Sequence, residues 1–573
     1  MTDVRGLKHI EWFLYLIFVV MLFIENVWLH YSCFHSILFS SLWNTPLSFW
    51  SFYLPKIFIS ALFASLIFFL KYKWSIVLYS LILNIWFLAN CVYFRSYGAF
   101  LDVFALSMAR NMDGFWGAVR LFIDSKDILY FLLSVALALL VYFIPNPPRR
   151  HRKSGLITAA CSYLMCGIVI ILSNYMYVTR CGVDMDSKIY KLPAAKAYFL
   201  PFSRYARSVG MGVSLEYDFS ILHYIGFILT DAHSLYNDQK HKYVITEQDM
   251  QYIQPLLNKD TCQWNGGKQI IILVESLESW AIQPEVMPNV YHLLQSSSFY
   301  APYCKSQTRA GGSADGQLIV NTGLLPIKED AVCFRYPLNI FPSYPKGHSA
   351  VLLPHAIDVW NQVYMSPAYG YDTTIVTSME DAILFSKAVE LLDEGYDMVQ
   401  IITMTSHAPF SHGVSVNIPI PDELPSVIHD YLGCLHLTDI GIGLLLDRIF
   451  ADSTEAKSTT VLITGDHTVF PDDKRKQYAT LCRQKGISYS IENNFVPVLI
   501  VSPTFTHSIV YADTCYQMDI YPTLLNVMGY GRHYWRGVGK NLLDSTDIRS
   551  MDEEKAYDIS EQIIKANYFA TEQ

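Results

Sequence analysis

The chain has 573 residues, of which 52% are hydrophobic, 14% aromatic and only 16% charged, with a mean hydropathy of +0.24. That is too apolar for one soluble protein of this length and too charged for a purely membrane-embedded one, so a membrane part joined to a soluble part is expected. The formal net charge of −9 argues against nucleic acid as a partner.

The composition breaks near residue 180. Before it lie five apolar runs of about the 20 residues a bilayer needs: Glu11–His30, Trp50–Leu70, Ser75–Phe94, Ile128–Ile144 and Gly155–Thr179. The first run lacks a small-residue cleavage site, and further runs follow it, so a cleavable signal peptide is not expected. Arg5 and Lys8 precede the first run, Lys71 and Lys73 fill the turn after the second, and Arg149, Arg150, Arg152 and Lys153 link the last two. The loop from Tyr31 to Phe49 has no Lys or Arg. Basic residues mark the cytoplasmic side, so the expected topology has the N-terminus inside and everything after Arg180 outside. The loop from Arg95 to Asp127 dissents mildly with Arg110, Arg120 and Lys126. Glu25 and Lys56 fall toward the outer ends of neighbouring runs, where they read as snorkelling side chains or as a pair lining a headgroup site.

The domain reading is 1–180 as a five-helix membrane domain, 181–265 as a connector and 266–573 as an extracytoplasmic catalytic domain. In the connector, Phe219, Leu222, Ile225 and Leu229 are spaced for an amphipathic helix over Tyr217–Tyr236, and Glu247–Leu257 reads as one more helix. Beyond it Gln269–Val274, Asp372–Thr377, Asp397–Thr405, Thr459–Thr464 and Val496–Ser502 read as strands. Ser426–Phe450 and Met518–Met528 read as helices. This alternation predicts an α/β domain with a mainly parallel central sheet flanked by helices. Of the eleven cysteines, seven lie from Cys181 onward, and their pairing is not readable.

Two clusters carry the chemistry. The run Gln269–Val274 ends in Glu275, at the carboxyl end of a buried strand, where open α/β sheets place their working residues. Gly311-Gly312-Ser313 opens a helical pattern, which puts a hydroxyl where orphan N–H groups and the helix dipole favour an anionic oxygen and a bound phosphate. The second cluster, Gly465-Asp466-His467, ends another buried run. Glu275, Ser313, Asp466 and His467 together offer four donors suited to Mn²⁺, Mg²⁺ or Zn²⁺. Each alone is ordinary turn or rim chemistry, and their shared position after strands is what favours a site.

This combination resembles the lipoteichoic acid synthase family within the alkaline phosphatase and sulfatase superfamily. The resemblance implies five membrane spans and an extracellular phosphotransferase domain with one divalent metal, Mn²⁺ foremost, held by Glu275, Ser313, Asp466 and His467. It also implies Ser313 as nucleophile, and His407, in Thr405-Ser406-His407-Ala408-Pro409, as a phosphate-binding or leaving-group residue. His355, Asp358 and Trp360 are the implied further substrate contacts. The implied reaction moves phosphoglycerol or phosphoethanolamine from a phospholipid to an envelope glycan or lipid through a phosphoserine. Two departures stand out. Serine occupies the place of the usual threonine, and Gln362 follows Trp360-Asn361 where the family has a phosphate-binding arginine. An ester hydrolase on the same fold is the alternative, although Ser313-Ala-Asp-Gly-Gln lacks the proline and arginine of an orthodox sulfatase motif. A non-catalytic binding protein is the third reading.

Overall fold

The computed structural model describes residues 4–33, 56–70, 72–97, 123–144, parts of 153–168, residue 236, 243–258, and 263–570 apart from 329, 415, 471 and 546–551. The chain divides into two compact units near residue 240.

In the N-terminal unit, α1 (Val4–Cys33), α3 (Lys73–Tyr97) and the helix α4 (Ile128–Phe143) carry segments long and apolar enough to cross a membrane. Between α1 and α3, α2 (Lys56–Phe69) is a shorter apolar helix whose last five residues tighten to a 3₁₀ turn. Three of the five expected spans are therefore matched by full-length helices. The fifth, Gly155–Thr179, lies mostly outside the described residues, as do the amphipathic connector helix, Cys181 and Cys262. Where no water competes, polar side chains hold helices together. Asn84 of α3 donates to the Tyr130 carbonyl and to Ser134 Oγ, both at 2.6 Å, and Ser80 meets Ser134 at 2.7 Å. The ammonium of Lys73 caps the end of α4 through the Ile144 carbonyl at 2.7 Å. Glu25 and Lys56 are both fully buried among the helices.

The C-terminal unit opens with α5 (Glu247–Ile253), whose start is fixed by a Thr246–Asp249 capping box. Its strands are β1 (Lys268–Val274), β2 (Ser298–Lys305), β3 (Ser349–Leu353), β4 (Thr373–Val376), β5 (Met398–Ile402), β6 (Thr459–Gly465), β7 (Phe495–Val501), β8 (Ile509–Val510) and β9 (Cys515–Tyr516). They form one sheet in the order β4-β3-β5-β1-β6-β7-β2-β8, with β9 beside β2. From β4 to β6 all neighbours are parallel, while β7 runs antiparallel to both β6 and β2. The sheet is thus mixed but mostly parallel. The expected strand Asp397–Thr405 is shorter because Met404 and Thr405 turn away to donate their N–H groups to the buried Asp381 carboxylate.

Side-chain alternation along β1 supplies both cores. Ile271 and Leu273 join one cluster with α6 (Ser313–Thr322), α7 (Ile520–Val527) and the C-terminal helix α8 (Glu553–Ala566). Ile270, Ile272 and Val274 join the other with α9 (Asp381–Asp393) and α10 (Ser426–Ala451). Each such fully buried side chain contributes about 1.5–3 kcal/mol, so the centre of the sheet is a rigid platform. Glu275, Thr403 and Asp466 follow the ends of the adjacent parallel strands β1, β5 and β6, which brings them to one edge.

Candidate active site

Ser313 is the first residue of α6, and the geometry of the turn before it depends on glycine. Gly312 adopts φ +50°, ψ −119°, a conformation L side chains rarely take. Asp315 locks that turn by accepting the N–H groups of Arg309 at 2.8 Å and Gly311 at 3.0 Å. The N–H groups of Ala314, Asp315 and Gly316 point back to the carbonyls of Gly311 and Gly312. The orphan N–H groups expected at this helix start are thus fewer than the sequence suggests, and the Ser313 N–H and the dipole are what favour an anion there.

The structure brings Glu275, Ser313, Asp466 and His467 together. Ser313 Oγ donates to Glu275 Oε2 at 3.2 Å and lies 3.3 Å from His467 Nε2. His467 Nε2 is 3.6 Å from Glu275 Oε1 and 3.6 Å from Asp466 Oδ2. One ligand atom from each of Glu275, Asp466 and His467 lies within 4.8 Å of the others. Glu275 and Asp466 are buried, whereas Ser313 and His467 are half-buried at the mouth.

The tautomer of His467 follows from its partner. Nδ1 lies 3.0 Å from the Thr468 carbonyl, which only accepts, so Nδ1 carries the proton and Nε2 presents a lone pair. That lone pair faces two carboxylates and a hydroxyl oxygen. A convergence of electron-rich atoms with no positive centre is unfavourable, and a divalent cation is the group that the donor set fits. The protonation behaviour agrees. Burial and the neighbouring Glu275 push the Asp466 carboxyl up to about 7. Burial acts to raise Glu275 as well, but positive charge on His467 or His407, when either is protonated, and the Ser276 hydroxyl hold it below the usual carboxylate range.

Sequence reasoning missed the residues that hold these ligands. Ser276, at φ 56°, donates its N–H to Asp466 Oδ1 at 2.7 Å and its hydroxyl to Glu275 Oε1 at 2.6 Å. Thr403 accepts the Glu275 N–H, Ser406 donates to the Glu275 carbonyl, and Gln517 donates to the Asp466 carbonyl. The available signal was adjacency: Ser276 follows the strand-end glutamate and Asp315 sits in the first turn of the helix that Ser313 opens.

The remaining expected residues divide. His407 and His355 each turn Nδ1 to the carbonyl of the next residue, at 2.6 and 3.1 Å, which fixes the orientation of both rings. Both interact electrostatically with Glu275, which sets them beside the cluster. Trp360, at φ +50°, packs on Phe334, and its ring edge and His467 both lie about 4 Å from the position a side chain on Gly312 would take. Asp358 is exposed and meets the site only through its charge on His355. Gln362 is buried away from it, donating to Gln317 at 2.9 Å and accepting from Ser366 at 2.8 Å. Arg309 stacks its guanidinium 3.6 Å over the Tyr557 ring, and Lys305 lies against Tyr516.

A mostly parallel sheet with a serine hydroxyl beside two acids and an imidazole at its strand ends fits an α/β domain of the alkaline phosphatase and sulfatase kind. Residues 319–530 match the sulfatase family model, and residues 1–180 match the lipoteichoic acid synthase N-terminal domain. Among curated proteins, lipoteichoic acid synthase 2 of Bacillus subtilis (strain 168) is 22% identical over 508 residues, covering 82% of this chain and 74% of that protein. The solved lipoteichoic acid synthase LtaP from Listeria monocytogenes is 17% identical, covering 60% of this chain and 98% of its own, with a TM-score of 0.42. The Streptococcus pyogenes phosphoglycerol transferase GacH, solved with sn-glycerol-1-phosphate, is 15% identical, covering 59% and 92%, with a TM-score of 0.39. The chain is lipoteichoic acid synthase-like, a membrane-anchored protein with a sulfatase-type domain.

Proposed function

We propose that this protein is a metal-dependent transferase that moves phosphoglycerol or phosphoethanolamine from a phospholipid to an envelope glycan or lipid through a phosphoserine at Ser313. The observation that carries this reading is the meeting of one hydroxyl with two acids and an imidazole lone pair at the strand ends. Glu275, Asp466, His467 and Ser313 would hold one divalent cation, with Mn²⁺ the ion the family resemblance implies and Mg²⁺ or Zn²⁺ also compatible with a mixed carboxylate and imidazole set. When bound, that ion would lower the pKa of the serine hydroxyl and polarise a phosphoryl oxygen.

The chain's own groups do the rest. Ser313 Oγ, having released its proton to solvent, attacks phosphorus in line as the alkoxide, and the bond from phosphorus to the diacylglycerol oxygen breaks. His407 Nε2, when protonated, hands its proton to that oxygen. An acceptor hydroxyl then attacks the phosphoserine, the bond to Ser313 Oγ breaks, and the acceptor's proton leaves by the same histidine. His355 and Trp360 would bind and cover the headgroup, and Asp358 would modulate His355. The proposed organisation is a membrane domain over 1–180, a connector over 181–265 and a catalytic domain over 266–573. The basic loops favour a cytoplasmic N-terminus and an extracytoplasmic active site. Tethering keeps that site at high effective concentration relative to a lipid donor.

The sulfatase match favours ester hydrolysis as the second reading. Incubating the purified chain with labelled phosphatidylglycerol, phosphatidylethanolamine and a sulfate ester separates the two. Diacylglycerol release with label on Ser313 supports the transferase, and sulfate release without it supports the hydrolase.

A further inference from the structure

The far side of the C-terminal unit carries a cavity of about 530 Å³, lined among others by Trp264, Phe341, Lys346, Asp372 and His533. Trp264 precedes β1, Lys346 precedes β3 and Asp372 precedes β4, so the cavity sits at the amino ends of these parallel strands. Glu275 leaves β1 at the other end. The seven residues of that strand, at about 3.3 Å each, set the cavity roughly 20 Å from the Ser313 cluster.

The cavity is built for a ligand rather than left by loose packing. His533 is only 6% exposed, and neither ring nitrogen has a hydrogen-bond partner among the described residues. A buried imidazole without partners is costly, and native structures rarely leave one unanswered. Burial, with Lys346 nearby, lowers its pKa to about 4, so the neutral ring presents one donor and one acceptor. Lys346 spends two hydrogens on the carbonyls of Tyr344 and Tyr369, at 3.2 and 3.3 Å, and has a third to give. Asp372 takes both Ser349 hydrogens on Oδ2, which leaves Oδ1 as an acceptor. The indole N–H of Trp264 is pinned to the Gly267 carbonyl at 3.0 Å, fixing the ring beside these groups.

Charge decides the ligand class. Among the described residues of the lining, Lys346 and Asp372 are the only charged pair, and they cancel. An anion such as phosphate would meet no net positive field. We infer that this cavity is a carbohydrate-binding subsite for a neutral sugar unit, with its hydroxyls on His533, Lys346 and Asp372 and its apolar face on Trp264. Sugars present both surfaces at once: adjacent hydroxyls that donate and accept, and a C–H face that packs on an aromatic ring. The subsite shares no residue with the Ser313 cluster, so its failure leaves the proposed chemistry untouched.

The test uses the full chain in lipid nanodiscs, avoiding maltoside detergents whose headgroups are themselves sugars. Saturation-transfer NMR is recorded with glucose, galactose and N-acetylglucosamine, followed by competition with inorganic phosphate. Ring-proton signals are expected from at least one sugar, lost in Trp264→Ala and weakened roughly tenfold in His533→Leu, with label trapping at Ser313 unchanged. Trp264 is more than a third exposed, so its substitution tests the site even where His533→Leu fails to fold. No sugar signal, a signal that survives both substitutions, or displacement by equimolar phosphate overturns the inference.

Discussion

A side chain on Gly316 would place its first carbon 2.7 Å from the carbonyl oxygen of Asp466. Helix α6 therefore presses directly on the end of β6, and this contact sets the distance from Ser313 to its partners. Gly316→Ala must push the two apart while leaving both cores intact. Misplacement of a reacting group by about 1 Å costs up to ~10²-fold in rate, so a folded variant with activity reduced on that scale is expected. Turnover equal to wild type, measured as diacylglycerol release, would contradict the role given to this contact.

Ser276 holds both acids of the cluster without being a ligand itself. Loss of such an outer partner weakens metal binding by about 10–100-fold. Ser276→Ala is expected to raise the Mn²⁺ dissociation constant on that scale, with activity restored at high Mn²⁺. Unchanged affinity in a calorimetric titration sinks this assignment.

Much of this was legible in the sequence, for a physical reason. Strands β1 and β6 are buried on both faces, so their centres read as apolar β-branched runs, and the residues that follow them form the acidic and imidazole cluster. The β2 and β7 pairing was not legible, because β2 mixes Pro302 and exposed Tyr303 with its buried positions. Nor was the fate of Arg309, whose partner Tyr557 lies far along the chain on a C-terminal helix not read from the sequence. The helix-start N–H groups looked free because nothing in Gly311-Gly312 announces that their carbonyls will capture them.

Gln362 gives the departure from the family's arginine a physical meaning. Its side chain is 1% exposed and satisfied by Gln317 and Ser366. Gln362→Arg should bury an unanswered charge and destabilise the unit by about 3 kcal/mol or more, without any gain in phosphoglycerol transfer. A stable variant with faster transfer would show that the guanidinium reaches the substrate.

His533 predicts a pH dependence. Its pKa is about 4 in the fold against 6.5 for the free side chain, so the unfolded chain takes up the proton first as pH falls. The stability tied to the neutral ring is complete above pH 6.5 and is lost on going down to pH 4, by about 3 kcal/mol. His533→Leu should therefore flatten the acid side of the unfolding-temperature profile between these values. A profile with the same slope as wild type contradicts this.

The central claim is that the Ser313 oxygen forms a bond to phosphorus. Purified protein is incubated with Mn²⁺ and phosphatidylglycerol carrying label in its headgroup, quenched in acid, digested and read by mass spectrometry. The account predicts a headgroup phosphodiester on the peptide containing Ser313, present in Ser313→Thr at the substituted residue and absent in Ser313→Ala and without metal. Diacylglycerol release that persists in Ser313→Ala, with no modified peptide at any time point, would contradict it.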